Sequence, residues 1–168
     1  MKTIIERLED GNRRYTSSEK GTLRMKLATE GQHPYAVVVC CSDSRVIPEE
    51  IFGASLGELF VIRIAGNVLD RHQIGSIEYA TSHLGCKLVI MLGHTGCGAV
   101  GAALEGHAEG FVASIVDDIH KAIGGEKDPD KASCLNVLYG VEILKKEIRD
   151  AEIRGAVYNI KTGMVRWL

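Results

Sequence analysis

The 168-residue sequence predicts an α/β fold: a mostly parallel central β-sheet with an antiparallel edge strand, flanked by helices, in a single domain. Three observations predict it. Apolar runs at Ala36–Cys40, Glu58–Ile64 and Lys87–Leu92 alternate with amphipathic stretches of helical period, the pattern of βαβ units. The first of these, AVVVC, has no polar alternation, as suits a strand buried on both faces of a parallel sheet. Two closing runs, Ala156–Ile160 and Met164–Leu168, flank Lys161-Thr162-Gly163, a tight-turn signal that makes this last pair antiparallel. A chain of this length can bury roughly two thirds of its unfolded surface around one core, and needs no second domain.

Taken in order, Met1–Tyr15 places Ile4, Ile5 and Leu8 among charges and reads as an amphipathic helix whose apolar face needs a partner. A second short helix covers Ser18–Thr29, ended by Gly31, with Pro34 barring continuation into the first strand. Residues 1–30 are expected to form a helical arm. Pro48-Glu49-Glu50 reads as a helical first turn, because proline at the first position loses no hydrogen bond and carboxylates favour the amino end. Asp70 caps a helix running to Leu84 and ended by Gly85. A helix opens at Gly98, which puts Cys97 beside its amino terminus. Further helices at Phe111–Ile123 and Cys134–Ile148 are separated by the surface loop GGEKDPDK.

Composition excludes several classes of function. The net charge of −2, with both signs interspersed, provides no basic stripe for nucleic acid. No apolar run approaches the roughly 20 residues that span a bilayer, and the charged segment MKTIIERLEDGNRRY is unlike a secretion signal. Five cysteines, 40, 41, 86, 97 and 134, are too few and too odd in number for a disulfide scaffold, so free thiols in a cytoplasmic, reducing compartment are expected.

The chemistry gathers in two loops. Cys41-Ser42-Asp43-Ser44-Arg45 falls just past the first core strand, where open α/β sheets keep their ligand sites. His94-Thr95-Gly96-Cys97 follows the strand at Lys87–Leu92. Zinc takes thiolate and imidazole ligands tetrahedrally, and a catalytic zinc leaves one of four positions to water. Cys41, His94 and Cys97 provide three such ligands, and the helix amino terminus beside Cys97 favours its thiolate. HTGC alone is a weak signal; its force comes from CSDSR at the end of a neighbouring strand. Asp43 and Arg45 read either as an ion pair that pins the loop, or as a carboxylate near the metal held off it by a guanidinium.

These motifs carry a resemblance. CSDSR at Cys41–Arg45, RIAGN at Arg63–Asn67, SIEYA at Ser76–Ala80 and HTGCG at His94–Gly98, in this order and at these intervals, resemble the β-class carbonic anhydrases over nearly the whole chain. The resemblance implies Zn2+ on Cys41, His94 and Cys97, and Asp43 paired with Arg45 at the reacting centre so that water completes the tetrahedron. The implied reaction is reversible hydration of carbon dioxide to bicarbonate and a proton. Plant-type members also bring a glutamine, a phenylalanine and a tyrosine to the substrate pocket; their counterparts are Gln32, Phe60 and Tyr79, joined by Gly98 in HTGCG. Because the two aromatics come from the neighbouring subunit in that family, the implied unit is a homodimer or a dimer of dimers, with the arm of residues 1–30 packed on the neighbour. Phe60 and Tyr79 also read as plain core aromatics, since each lies on an apolar stretch.

Two departures stand out. Ile64 replaces the polar residue usual in the RNAGN segment, and the chain is short for the family. Val38 stands where members with an inhibitory bicarbonate site carry tryptophan, which favours an open zinc over an aspartate-closed one. Two rivals share the scaffold: a hydrolase of carbon disulfide or carbonyl sulfide, and a non-catalytic zinc-binding sensor of inorganic carbon. Retention of Asp43, Arg45 and Gln32 disfavours the sensor, since a folding zinc needs none of them. His33 and His72 read as surface histidines rather than proton shuttles. Vicinal Cys40-Cys41 is not a C-x-x-C redox pair.

Overall fold

The computed structural model describes residues 2–168, which fall into two compact units, one up to Gln32 and one spanning His33–Leu168. The first unit is a helical pair, α1 (Ile4–Thr16) and α2 (Gly21–Glu30). Thr3 and Glu6 form a reciprocal capping box at the start of α1. Arg24 of α2 donates to the Tyr15 carbonyl at 2.9 Å and lies 4.6 Å from the centre of the Tyr15 ring. Gly31, at φ 83°, ends α2 as expected. Ile4, Ile5 and Leu8 are 76%, 64% and 66% exposed, so the apolar stripe of α1 is uncovered.

The second unit is built on a five-stranded sheet. Its elements in chain order are β1 (Ala36–Cys40), α3 (Pro48–Phe52), β2 (Leu59–Arg63), a 3₁₀ turn at Ala65–Asn67, α4 (Arg71–Ser82), β3 (Leu88–His94), α5 (Gly98–Glu105), α6 (Val112–Ile123), α7 (Pro129–Glu147), β4 (Glu152–Tyr158) and β5 (Val165–Trp167). The spatial order is β2-β1-β3-β4-β5, with every neighbouring pair parallel except β4 and β5. The mostly parallel sheet with an antiparallel edge is the architecture the sequence predicts.

Both faces of β1 are buried, as its unbroken apolar run requires. Val37 and Val39 enter a core with Ile77 and Ala80 of α4 and Val137, Val141 and Leu144 of α7. Val38 and Cys40 pack on the opposite face with Val46, Ile90, Leu92 and Ala156. All five β1 residues are at most 1% exposed. The chain leaves β1 for β2 on one side and later returns to β3 on the other, so the carboxyl end of β1 is a topological switch point, where crevices form in open α/β sheets.

Several element boundaries differ from the sequence reading. β3 continues to His94 because β4 extends to Tyr158 and pairs with it; the histidine ends a strand rather than lying in the loop. β4 begins at Glu152, four residues before the expected Ala156, pairing with Leu88. α7 begins at Pro129 rather than Cys134: the Asp128 carboxylate accepts the Lys131 N–H at 2.8 Å and Pro129 occupies the first turn, so the last three residues of the expected surface loop are helical. Phe111, expected inside α6, is instead its N-cap residue and is 97% exposed. No helix among the described residues is long and apolar enough to cross a membrane.

Gly93, one residue before His94, lets α7 approach β3. A Cβ there would lie 2.4 Å from Val137 Cγ2, and the β-branched valine has little rotamer freedom to yield. Gly93→Ala should destabilise the protein by about 1–3 kcal/mol in chemical denaturation. An unchanged midpoint and slope would show that α7 is not packed this closely.

Candidate metal centre

The switch point holds two sulfurs and an imidazole. Cys41 follows the last residue of β1, His94 is the last of β3, and Cys97 is the N-cap residue of α5. Gly96, at φ 64°, makes the turn that separates His94 from Cys97. That turn is fastened to β4: the Thr95 N–H donates to the Tyr158 carbonyl at 2.9 Å, and Thr95 Oγ1 accepts the Ile160 N–H at 3.3 Å. The three ligand atoms lie within 4.8 Å of one another and all three residues are buried, a group that could hold a metal ion.

The donor set suits a soft or borderline divalent cation. The two sulfurs are 4.0 Å apart. His94 Nδ1 is 3.0 Å from the Thr95 carbonyl, which can only accept, so the proton sits on Nδ1 and the lone pair on Nε2. Nε2 is buried and has no hydrogen-bond partner, unlike every other buried side-chain nitrogen or oxygen among the described residues. An unsatisfied buried polar atom costs about 1–3 kcal/mol, and a cation between the sulfurs meets that need.

Among the protein groups alone, the negative charge settles on Cys41. The Cys97 thiol donates to it, His94 and the N–H groups of Asp43 and Gly66 support it, and together they outweigh burial and hold Cys41 down to about 4. The same sulfur contact, with burial, pushes Cys97 well above the ordinary thiol value. The helix amino terminus does pull Cys97 down through the Val100 and Ala99 N–H groups, in line with the sequence reading, against the larger upward push of Cys41 and burial. Burial depresses the His94 imidazole, yet the Cys41 charge outweighs it and holds the ring above its usual value. Cys40 faces the opposite core, where burial pushes its thiol up to about 12, so the vicinal pair does not act as a unit.

Arg45 clamps Asp43 from both sides. Its Nε and its backbone N–H donate to Oδ1, each at 2.9 Å, and its terminal nitrogen donates to Oδ2 at 2.7 Å. These bonds hold the Asp43 carboxyl well below the usual carboxylate range. Arg45 also reaches the Gly96 carbonyl at 3.4 Å, tying this loop to the His94–Cys97 turn.

A third segment supports Cys41, and the sequence reading assigned it no role. Arg63, at the end of β2, donates to the Cys41 and Asp43 carbonyls at 3.3 and 2.6 Å. The N–H groups of Gly66 and Asp43 each lie 3.4 Å from Cys41 Sγ. RIAGN was visible as a motif, but nothing in its spacing indicated that Arg63 and Gly66 face the Cys41 loop. Ile64 keeps its backbone bond to the Cys40 carbonyl at 3.0 Å and lays its side chain against the cluster containing Cys41 and Cys97.

The carbonic anhydrase family model matches residues 36–165, a span that contains the whole Cys41–His94–Cys97 group. The chain belongs to the carbonic anhydrase family. It is 42% identical over 126 residues to a carbonic anhydrase of Mycolicibacterium smegmatis, covering 69% of this chain and 61% of that one. It is 40% identical over 127 residues to carbonic anhydrase 2 of Mycobacterium tuberculosis, with the same coverage. The chain thus spans about 61% of the length of these curated relatives. Among solved structures, a tetrameric β-carbonic anhydrase of Sordaria macrospora superposes with a TM-score of 0.86 at 27% identity, covering 98% of this chain and 96% of that one.

The remaining expected site residues are dispersed. Gly98 opens α5 next to Cys97, and a Cβ there would meet nothing within 4 Å. Phe60 pairs in register with Val37, four residues and roughly 13 Å of strand before Cys41, so it is not brought into this chain's own centre. Its ring lies 6.3 Å from that of Tyr79, which is 47% exposed and stacks in turn on His83 at 5.4 Å. Gln32 ends the first unit and is exposed.

Cys41→Ser should abolish stoichiometric retention of a divalent metal after dialysis against a mild chelator, read by elemental analysis. Undiminished metal content in a folded variant would show that the buried triad is not the binding site.

Proposed function

We propose that this protein catalyses the reversible, zinc-dependent hydration of carbon dioxide to bicarbonate and a proton. Cys41, His94 and Cys97 would hold Zn2+, in keeping with a borderline-soft ion that favours sulfur and imidazole. The observation that carries this reading is the pairing of an orphaned, buried His94 Nε2 with an adjacent carboxylate turned away by Arg45. A closed structural site would recruit a fourth side chain; here the nearby acid is engaged elsewhere. Zinc bound there supplies a Lewis acid that lowers the pKa of water from about 15.7 to about 7, making a nucleophile available near neutrality.

The chain's own residues orient and bind. Asp43 Oδ1 already accepts two hydrogen bonds, whereas Oδ2 accepts one and keeps a lone pair for the O–H of the attacking group. Because Arg45 keeps that carboxylate ionised and fixed, Asp43 accepts without competing for the metal, and the nucleophile's remaining lone pair is aimed at carbon. Gln32 would donate to a substrate oxygen as charge develops on it. Gly98, lacking a side chain, leaves room at the rim.

Phe60 and Tyr79 lie away from this chain's own triad, and they would complete the apolar pocket of a neighbouring subunit. The functional unit is therefore a homodimer or a dimer of dimers, with the uncovered stripe of Ile4, Ile5 and Leu8 packed on the neighbour. The tetrameric Sordaria relative supports such an assembly. Five free thiols are in keeping with a reducing compartment, and the protein is read as cytoplasmic.

Stopped-flow hydration of carbon dioxide on metal-assayed protein tests the reading, and wild type should turn over in proportion to its zinc content. Asp43→Ala should retain zinc and lose turnover by about 10²-fold or more. A fully zinc-loaded wild type without activity would overturn the assignment, and an unchanged rate in Asp43→Ala would reduce the aspartate to a structural role.

A further inference from the structure

The N–H that reaches Cys41 Sγ from Gly66 belongs to a strained turn. Gly66 and Asn67 are consecutive residues at positive φ, 65° and 44°, and Asn67 is the one non-glycine residue at positive φ among those described. A conformation so sparsely populated persists only when its surroundings over-determine it. Two of the constraints are the closure of the turn itself and its packing against α5 and α6. The Asn67 N–H closes the turn on the Ile64 carbonyl at 2.9 Å, and a Cβ at Gly66 would lie 2.7 Å from Ile119 Cδ1 and 3.0 Å from Ala99 Cβ.

The third constraint comes from α7. Asn136, 5% exposed, donates through Nδ2 to the Gly66 carbonyl at 2.8 Å, a contact between residues 70 apart in the chain. Most of the buried face of α7 is apolar or glycine: Ala132, Val137, Gly140, Val141 and Leu144. Ser133, the other buried polar residue of the helix, bonds to its own Pro129 carbonyl at 2.9 Å. A buried amide costs free energy unless its partner is well placed, and the Asn136 donor is spent on the residue that contacts Cys41.

We propose that Asn136 is a positioning residue for the metal centre: by holding the Gly66 carbonyl it fixes that residue's flanking peptides, so that the Gly66 N–H stays directed at Cys41 Sγ and confines the sulfur to its ligating rotamer. This inference rests on the reading of Cys41 as a metal ligand. Outer hydrogen bonds of this kind orient ligands, and their loss typically weakens metal binding 10–100-fold. Arg63 secures the backbone around Cys41 and Arg45 the Asp43 carboxylate, whereas the path through Asn136 acts on the sulfur itself.

The test is zinc affinity by chelator competition in wild type, Asn136→Leu and the milder Asn136→Ser, with thermal unfolding of each apoprotein and the sulfur-to-cobalt charge-transfer band of each Co(II)-substituted form. The expected result is a folded variant whose zinc dissociation constant rises by about 10–100-fold and whose charge-transfer band is shifted or weakened. A purely structural asparagine would lower the apoprotein Tm and leave affinity and band within twofold of wild type, which would overturn the proposal. Failure of both variants to fold would also overturn it, making Asn136 a folding residue. If wild type itself bound no zinc, the metal-site reading would fall first, and this inference with it.

Discussion

Two sulfurs held 4.0 Å apart beside an imidazole, all on buried residues, form an arrangement that protein atoms alone do not stabilise well. Without a cation only one sulfur carries charge: Cys41 is drawn down, Cys97 is driven up, and His94 Nε2 faces no donor. A divalent ion would relieve all three mismatches at once, letting both thiols ionise and giving the nitrogen a partner. Much of the surrounding architecture serves to hold this strained trio together. The sheet order sets β1 beside β3, Gly96 turns the chain so that Cys97 follows His94, and the hydrogen bonds of Thr95 tie that turn to β4.

The supporting residues divide the work by what they restrain. Arg63 fixes carbonyls of the Cys41 loop, Arg45 fixes the Asp43 carboxylate and reaches the facing turn, and Gly66 with Asn136 behind it acts on the sulfur. The ion pair of Asp43 and Arg45 meets solvent mainly on its Arg45 side, which is 55% exposed against 17% for Asp43. Its value lies in direction: a carboxylate two residues from a ligand sulfur would otherwise compete for the open coordination position.

The fold and the triad were largely legible in the sequence because each rested on a strong local signal. AVVVC suited a strand buried on two faces, and CSDSR with HTGCG held the three residues that the structure brings together and the carboxylate beside them. The misplaced boundaries have tertiary causes. His94 joins β3 because Tyr158 is there to pair with it, a partner 64 positions away that local periodicity cannot show. The early start of α7 was readable, since Asp128-Pro129 is a capping pair, but the glycines and charges around it favoured a loop. The roles of Arg63, Gly66 and Asn136 were not readable at all: they depend on β2 lying beside β1 and on α7 crossing the sheet at the switch point. The dispersal of Phe60 from Cys41 likewise follows from register, Val37 opposite Phe60, and not from sequence spacing.

The central claim is that three protein atoms converge on one ion whose fourth corner no side chain fills. A crystal structure of the zinc-loaded protein near neutral pH, with anomalous scattering at the zinc edge, tests it most directly. The account predicts one anomalous peak per chain, bound by Cys41 Sγ, Cys97 Sγ and His94 Nε2, with a non-protein fourth ligand and Asp43 still clamped by Arg45. A peak elsewhere, or an Asp43 oxygen as fourth ligand, would contradict it.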